Sequence, residues 1–444
     1  MSTTTSIPDL IDQSRLSPLQ WRIFGLCFLV ALCDGFDTQA MAFTGPAILQ
    51  AFNLKAAALA PILTAGIVGM VLGAMVFGLL ADKFGRRPMV AWAVGVFAGA
   101  TLATAWATST DQILALRFIA GLGMGGATPI VLALTAEYCP ANRRSTMMTS
   151  VILGLPAGAI LGGLLASRIL PHTGWQGIFI VGGLVPLVLL AVILASLPES
   201  LRFIARSKSE DANRRIEHIV RQIAPSMPAG GIYHVPEAEA PARVASLFSR
   251  RLGRNTAAIW LIYMFNWVAW FMFLSWFPTV LKATGFAPES APLGTVVVNT
   301  MFVIFAIPLA TILPKVNIRM LLLAMFLLGM AMCFALAHSG TNWTLVLALG
   351  AGAAIGIGGQ QLVLNYVVAE VYPTALRATA TGWAIGLGRV GAILGSASGG
   401  WFLEKGGPSG FYLALIAPLA LAALGLVILR IGRERTEAAA EYQQ

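Results

Sequence analysis

Charged residues are scarce in this sequence. Asp, Glu, Lys and Arg make up 11% of the 444 residues, hydrophobic residues make up 57%, and the mean hydropathy is +0.80. A water-soluble domain normally carries about 25% charged residues. The composition therefore excludes a water-soluble protein, and apolar runs long enough to cross about 30 Å of hydrocarbon recur along the chain. These runs must be helices, because lipid cannot satisfy backbone polar groups.

Cysteine and histidine are equally sparse. The four cysteines show no CxxC or other metal-binding spacing, and the four histidines fall in loops or at helix ends. The glycine-rich segment 121–126 superficially resembles a dinucleotide loop, but it lies within a spanning helix, where helix packing explains it. We therefore expect no metal, no cofactor and no enzymatic activity. Carboxylates remain as the proton carriers.

The hydrophobic runs predict an all-α membrane protein with twelve transmembrane helices. The first run is full length and has no small-residue cleavage site after it, so we expect no cleavable signal. The helices are predicted to begin near Trp21, Leu59, Pro88, Gln112, Met147, Ile178, Asn255, Pro292, Ile318, Trp343, Thr379 and Phe411.

Basic residues outnumber acidic ones, and the net charge is +10. Their distribution follows the positive-inside rule if the amino terminus is cytoplasmic, because only Lys55, Arg168, Lys282 and Lys405 then fall in periplasmic segments. We therefore predict cytoplasmic amino and carboxy termini in a bacterial inner membrane. We expect the protein to lie in a lipid bilayer and to have no nucleic-acid partner.

The two halves of the chain are repeats of each other. Residues recur 233 positions later at matching places: Glu137 as Glu370, Pro140 as Pro373, Arg144 as Arg377, and segment 158–162 as 391–395. The predicted parts are a cytoplasmic segment (1–20), a six-helix bundle (21–198), a cytoplasmic linker (199–254), a second six-helix bundle (255–430) and a cytoplasmic tail (431–444). Two pseudo-symmetric bundles of this kind are typical of transporters, in which a midplane pocket opens alternately to each side.

Two carboxylates lie inside the first spanning helix. Each costs on the order of 3 kcal/mol at bilayer depth, so Asp34 and Asp37 need a shared purpose. Residues three apart lie on one side of a helix. Arg117 lies about 10 Å into the fourth helix, counted from its predicted periplasmic end, and this depth matches that of the two acids. We predict that Arg117 pairs with Asp34 or Asp37 and that these three residues couple protons. The alternatives are a structural carboxylate pair and an Arg117 that extends to the periplasmic interface.

The segment 78–87, GLLADKFGRR, follows the second helix. It resembles the GxLaDrxGRk loop of the major facilitator superfamily. Its glycines allow a tight turn, and Asp82 can accept hydrogen bonds from helix amino termini and from arginines such as Arg144. The predicted cytoplasmic gating residues are Gly78, Asp82, Gly85, Arg86, Arg87, Glu137, Arg144, Glu370 and Arg377. The alternative is that the arginines only set topology. In the second half, Lys315 stands where Asp82 would repeat, so a second, symmetric latch is not expected.

Polar and aromatic residues mark the second half as the substrate-binding side. Trp267 and Trp270 occupy the positions that repeat Asp34 and Asp37, and stacking on a substrate and helix packing both remain open for them. Gln360, Gln361 and Asn365 lie at bilayer depth, where they can bind a substrate hydroxyl or bond between helices. Arg389 lies near the midplane, where its planar fork suits a carboxylate. An anionic substrate is the natural partner for it.

The segment Asp34-Gly35-Phe36-Asp37, together with Pro46, Gly382-Trp383 and the run 388–395, resembles the aromatic acid:proton symporter family of this superfamily. The resemblance implies import of an aromatic carboxylate, such as a hydroxybenzoate, with protons for aromatic catabolism. We expect a monomer. One rival is a proton-coupled antiporter, although the chain lacks the proline that antiporters of the superfamily usually show after the position of Gly158. Another rival is a membrane sensor, although the linker and tail offer no substantial signalling domain.

Overall fold

The computed structural model describes residues 4–206, 210–225, 232–234, 244–249 and 252–430. The predicted tail 431–444, the first three residues and parts of the predicted linker lie outside these ranges. The described chain is helical apart from one short pair of strands, in which Thr4–Ser6 pairs in parallel with Ile232–His234.

Sixteen α-helices occur within the described residues. They are α1 Ile7–Gln13, α2 Pro18–Ala51, α3 Leu59–Phe84, α4 Arg86–Thr104, α5 Thr110–Tyr138, α6 Ala141–Ile152, α7 Gly154–Ser196, α8 Leu201–Arg206, α9 Glu210–Ile223, α10 Gly253–Ala283, α11 Ala291–Ile312, α12 Ile318–Ala337, α13 Trp343–Ala353, α14 Gln360–Val371, α15 Thr374–Ala414 and α16 Ile416–Ile428. A π-helical turn, Ala354–Gly358, joins α13 to α14.

Nine helical stretches within the described residues are long and apolar enough to cross a membrane. Two of them, Ala141–Ser196 and Thr374–Ile428, are long enough for two crossings each. They break at Gly174 and Gly407, whose φ values of 65° and 62° are left-handed and favour glycine. Both arms of these stretches and the 19-residue α4 complete the predicted twelve spans.

Equivalent local structures recur at the offset of the sequence repeat. Gly174 and Gly407, which carry the two breaks, are themselves 233 positions apart. After the break between α5 and α6, Arg144 donates to the carbonyl oxygen of Cys139 at 3.5 Å, and Arg377 donates in the same way to that of Tyr372 at 3.1 Å. The duplicated all-α membrane architecture predicted from the sequence is confirmed.

The chain forms two compact units. The first contains residues 1–40, 68–162 and 175–238, and the second contains residues 41–67, 163–174 and 239–444. Lys282 at the end of α10 donates to the carbonyl oxygen of Pro46 at 2.9 Å, and Glu404 accepts from the backbone N–H of Ala57 at 2.8 Å. These contacts place the segment 41–67 with the second unit.

The predicted linker is partly folded onto the first unit. Helix α9 has one apolar face, and its Ile216 and Val220 are buried in the same hydrophobic cluster as Ile7 and Leu10 of α1. An amphipathic helix of this kind is stabilised by burying its apolar stripe. The amino-terminal helix α1 and helix α9 of the linker therefore pack in one hydrophobic cluster.

Candidate functional site

Small residues bring α2 against α7 at the level of the two acids. A Cβ atom on Gly35 would overlap the backbone carbonyl of Leu155, and one on Gly158 would overlap the carbonyl of Leu32. Glycine permits this approach because it has no side chain, as in other closely packed membrane helices. The acidic turn of α2 is therefore held tightly on the side of α7.

Asp37 forms a buried ion pair with Arg117. One nitrogen of Arg117, Nη1, lies 3.2 Å from each carboxylate oxygen of Asp37. The other, Nη2, donates to the hydroxyls of Thr101 at 3.0 Å and Thr104 at 2.9 Å. Thr101 in turn donates to Asp37 at 2.8 Å. Asp37 is 2% exposed and Arg117 is 3% exposed, so this network is closed to solvent.

Local sequence explains how α4 and α5 present this network. Thr101 and Thr104 are three residues apart on α4, which places both hydroxyls on one face. A short connection leads to α5, whose first turn is capped by Ser109 accepting from the backbone N–H of Gln112 at 3.3 Å. The guanidinium of Arg117 also lies 4.9 Å from the ring centroid of Phe179. Arg117 therefore points into the first unit and does not extend to solvent.

Asp34 has a different environment from Asp37. Its carboxylate accepts hydrogen bonds from the hydroxyl of Thr38, at 3.2 Å, and from that of Thr128 on α5. Asp34 is 1% exposed. The structure thus gives Asp37 an arginine partner and Asp34 two hydroxyl donors, a distinction that spacing alone did not predict.

A second polar group lies between α10 and α14 in the second unit. The indole N–H of Trp267 donates to Oε1 of Gln361, and Nε2 of Gln361 donates to Oδ1 of Asn365 at 3.3 Å. The hydroxyl of Tyr263, a fully buried residue, donates to the same Oδ1 at 2.8 Å. The structure therefore joins Trp267, Gln361 and Asn365, and it adds Tyr263.

The other predicted substrate residues are Trp270, Gln360 and Arg389. Trp270 packs on Phe302, with ring centroids 6.0 Å apart, and in the described part of the chain it makes no hydrogen bond to these amides. Gln360 is fully buried and donates to the carbonyl oxygen of Gly356 in the preceding π-helical turn. Arg389 is half-buried on α15 and takes part in an interaction of its own.

Near the end of α5 in the first unit, Glu137 is the centre of an ionic cluster. It lies 2.5 Å from Nη1 of Arg86 and 3.8 Å from Nε of Arg202, and it accepts from the hydroxyl of Ser200 at 2.5 Å. Its side chain is 6% exposed. Such a buried carboxylate is strongly held because both of its oxygens have partners.

Glu199 caps the start of α4. One of its oxygens accepts from the backbone N–H groups of Arg86, Arg87 and Ser200 at 2.8, 3.1 and 2.7 Å. Tyr138 donates to the carbonyl oxygen of Glu199 at 2.5 Å. A negative charge is favourable at a helix amino terminus, where free N–H groups point outward. This cap ties the end of α7 to the start of α4.

Two parts of the predicted loop behave differently from the prediction. Gly85 has a φ of 101° and makes the turn, whereas Gly78 lies inside α3 with open space around it and makes no turn. Within the described residues the Asp82 carboxylate makes no hydrogen bond or ion pair, and only its backbone carbonyl accepts, from Arg206 at 3.0 Å. Asp82 is exposed in the last turn of α3, so Glu199 performs the capping expected of it, and Arg144 donates to Cys139 instead.

Comparison with known proteins identifies the family. The sequence profile described as Major Facilitator Superfamily matches residues 27–337 and again residues 259–444. The chain belongs to the major facilitator superfamily. Its members are transporters, so this chain is a membrane carrier rather than an enzyme.

Individual members of the superfamily resemble the chain over nearly its whole length. It is 36% identical to the 4-hydroxybenzoate transporter PcaK of Pseudomonas putida over 433 residues, which cover 95% of each chain. It is 34% identical to the gallate transporter of Pseudomonas putida, covering 97% of this chain and 96% of that one. Its fold matches the crystal structure of a D-xylose-proton symporter with a TM-score of 0.70, at 18% identity, over 94% of this chain and 99% of that one.

The sequence did not predict several of the residues that form these sites. Thr101, Thr104 and Thr128 bind the buried charges, Tyr263 fixes Asn365, and Glu199 caps α4. A single hydroxyl within an apolar run carries no periodic signal, because threonine also satisfies itself by bonding to its own helix. The sequence did not predict the cap by Glu199, because the backbone N–H groups of Arg86 and Arg87 that it binds lie more than 100 positions away.

Proposed function

We propose that this protein imports aromatic carboxylates together with protons across a bacterial inner membrane by alternating access. The observation that carries the proposal is the buried contact between Asp37 and Arg117. A carrier that moves protons needs a titratable group shielded from solvent, and a buried ion pair is held only while the acid remains charged.

The substrate class comes from the named relatives. 4-Hydroxybenzoate and gallate each carry one carboxylate on an aromatic ring, with hydroxyl groups on the ring. The chain matches both carriers over nearly its full length at 34–36% identity. A hydroxylated benzoate is therefore the substrate class that we propose.

Each compact unit supplies a separate part of the mechanism. In the first unit, protonation of Asp37 removes the negative partner of Arg117, while Asp34 retains its hydroxyl partners. In the second unit, Arg389 binds the substrate carboxylate, and Trp267 and Trp270 offer ring faces. The ionic cluster of Glu137 and Arg86 acts as the cytoplasmic gate, with Arg87, Arg144, Glu370 and Arg377 as further gating residues. We propose cytoplasmic termini and a monomeric carrier.

Uptake of radiolabelled 4-hydroxybenzoate into proteoliposomes tests the proposal. An imposed inward proton gradient should drive accumulation by the wild type, and Asp37→Asn should abolish the response to the gradient. Asp111→Asn is the matched control, because Asp111 is an exposed carboxylate in the first turn of α5, the helix that carries Arg117. Accumulation driven only by an outward gradient would favour the antiporter, and no uptake of any aromatic acid would refute the substrate class.

A further inference from the structure

Four polar side chains in the second unit form a chain of hydrogen bonds that ends at an exposed amide. Tyr263 and Trp267 lie four residues apart on α10, and Gln361 and Asn365 lie four residues apart on α14, so each pair occupies one helix face. Tyr263 is fully buried, Trp267 and Gln361 are half-buried, and Asn365 is exposed. Polar side chains within spanning helices normally face the protein interior or a water-filled cavity.

One group that can only donate a hydrogen bond determines the orientation of both amides in this hydrogen-bonded group. The indole nitrogen of Trp267 carries a hydrogen and has no acceptor capacity. It contacts Gln361, so the oxygen of Gln361 must face the indole, and the nitrogen of Gln361 must face Asn365. Asn365 therefore presents its oxygen, Oδ1, to Gln361.

Tyr263 reinforces that orientation. Its hydroxyl lies 2.8 Å from the same oxygen of Asn365. Because Oδ1 is an acceptor, the hydroxyl must donate to it. Two donors thus hold Oδ1 toward the protein, and the amide nitrogen, Nδ2, points away from both. Within the described residues, Nδ2 has no hydrogen-bond partner.

We propose that Asn365 is a specificity-determining residue that donates a hydrogen bond to an acceptor oxygen on the aromatic ring of the substrate, and that Tyr263 is the positioning residue that prevents the amide from rotating. The proposal rests on the proposed function for the identity of the substrate as an aromatic acid. An amide that can only donate selects a ring hydroxyl, whose oxygen accepts. It does not select a ring amine conjugated with a carboxylate, whose nitrogen is a poor acceptor.

The test compares three acids that differ at one ring position. Binding of benzoate, 4-hydroxybenzoate and 4-aminobenzoate to the purified full chain is measured by titration calorimetry, and uptake of the same acids is measured in proteoliposomes. The variants are Asn365→Ala and Tyr263→Phe. Tyr372→Phe is the matched control, because the Tyr372 hydroxyl also makes one buried hydrogen bond, to Thr256 at 2.9 Å, but among the described residues it makes none to Gln361 or Asn365.

The wild type should bind 4-hydroxybenzoate more tightly than the other two acids. Asn365→Ala should weaken binding of 4-hydroxybenzoate by about 2- to 10-fold, the range of one neutral hydrogen bond, and leave benzoate within about 2-fold. Tyr263→Phe should lose part of the same preference and gain affinity for 4-aminobenzoate, because an Asn365 amide held only by Gln361, at 3.3 Å, can rotate more readily and present its oxygen. Tyr372→Phe should keep the wild-type order.

Three results would overturn the proposal. Equal losses for benzoate and 4-hydroxybenzoate in Asn365→Ala would place the amide on the carboxylate or in a structural role. An unchanged preference in Tyr263→Phe would remove the positioning role, and absence of binding by all three acids would refute the substrate assignment on which the proposal rests. If the acids bind with the expected order but are not taken up, transport is refuted while the role of Asn365 stands.

Discussion

Arg117 contacts both carboxylate oxygens of Asp37 through a single nitrogen, Nη1, at 3.2 Å. The second nitrogen binds two threonine hydroxyls, so protonation of the acid would leave the guanidinium partly solvated by Thr101 and Thr104. The hydrogen bonds from Nη2 to the two threonines reduce the free-energy cost of breaking the ion pair inside the membrane, because a buried charge with no partner is strongly destabilising. We therefore expect that the pair can open and close during a transport cycle while the two threonines keep the arginine in position.

A double-mutant cycle tests whether this pair is coupled. Asp37→Asn should lower the free energy of unfolding by about 3–5 kcal/mol, because it leaves Arg117 buried beside a neutral group. Adding Arg117→Gln should recover much of that loss, since no buried charge remains, but it should not restore proton-driven uptake. Thermal denaturation in detergent measures the stability, and additive losses in the double variant would contradict the coupling.

Gly35 provides a test of the contact between α2 and α7. Gly35→Ala should destabilise the fold by about 1–3 kcal/mol, because the added methyl group meets the backbone of Leu155, which cannot yield as a side chain would. Gly25→Ala on the same helix is the control, because nothing lies within 4 Å of its new Cβ. That control should leave the melting temperature unchanged or raise it, since alanine has the higher helix propensity. Equal effects at both positions would show that the close approach is unimportant.

The two halves cap equivalent helices by different means. Asn317 accepts from the backbone N–H groups of Arg319 and Met320 at 3.1 and 3.2 Å, at the positions that repeat Arg86 and Arg87. Asn317→Ala should cost about 1 kcal/mol, the usual value for a local cap. Glu199→Ala should cost more, because it also releases a contact between distant segments. Melting temperatures of both variants check the order, and a larger loss for Asn317→Ala would reverse the interpretation.

Glu137 should contribute more to the free energy of unfolding than an ordinary surface acid does. Glu137→Gln is expected to lower the free energy of unfolding by about 1–3 kcal/mol, because Arg86 loses a nearly buried charged partner. Glu217→Gln removes the acid of an exposed pair with Arg221, 2.7 Å apart on one helix, and should cost less than about 1 kcal/mol. High salt should weaken the effect at Glu217 but not the effect at Glu137. A similar salt response at both sites would show that the Glu137 cluster is open to solvent.

Much of the fold could be predicted from the sequence because each membrane helix appears as a long hydrophobic run. Hydrophobic length predicted the spans, and the repeat at 233 positions predicted equivalent structures that the pair Gly174 and Gly407 displays. The pairing of Arg117 with one of two acids also followed, since depth in a membrane can be counted along a helix at about 1.5 Å per residue. Local register and burial cost were sufficient for these inferences.

Tertiary structure alone decided which of two equivalent groups makes each contact. It assigned Asp37 rather than Asp34 to Arg117, Glu199 rather than Asp82 to the start of α4, and Gln361 rather than Gln360 to Trp267. Such choices depend on how each helix is rotated and on small differences in how closely the helices approach each other. Both are set by close packing between segments that are far apart in sequence. The sequence of this protein therefore determined its membrane class, its duplication and its kinds of charged sites, whereas packing determined the partners within them.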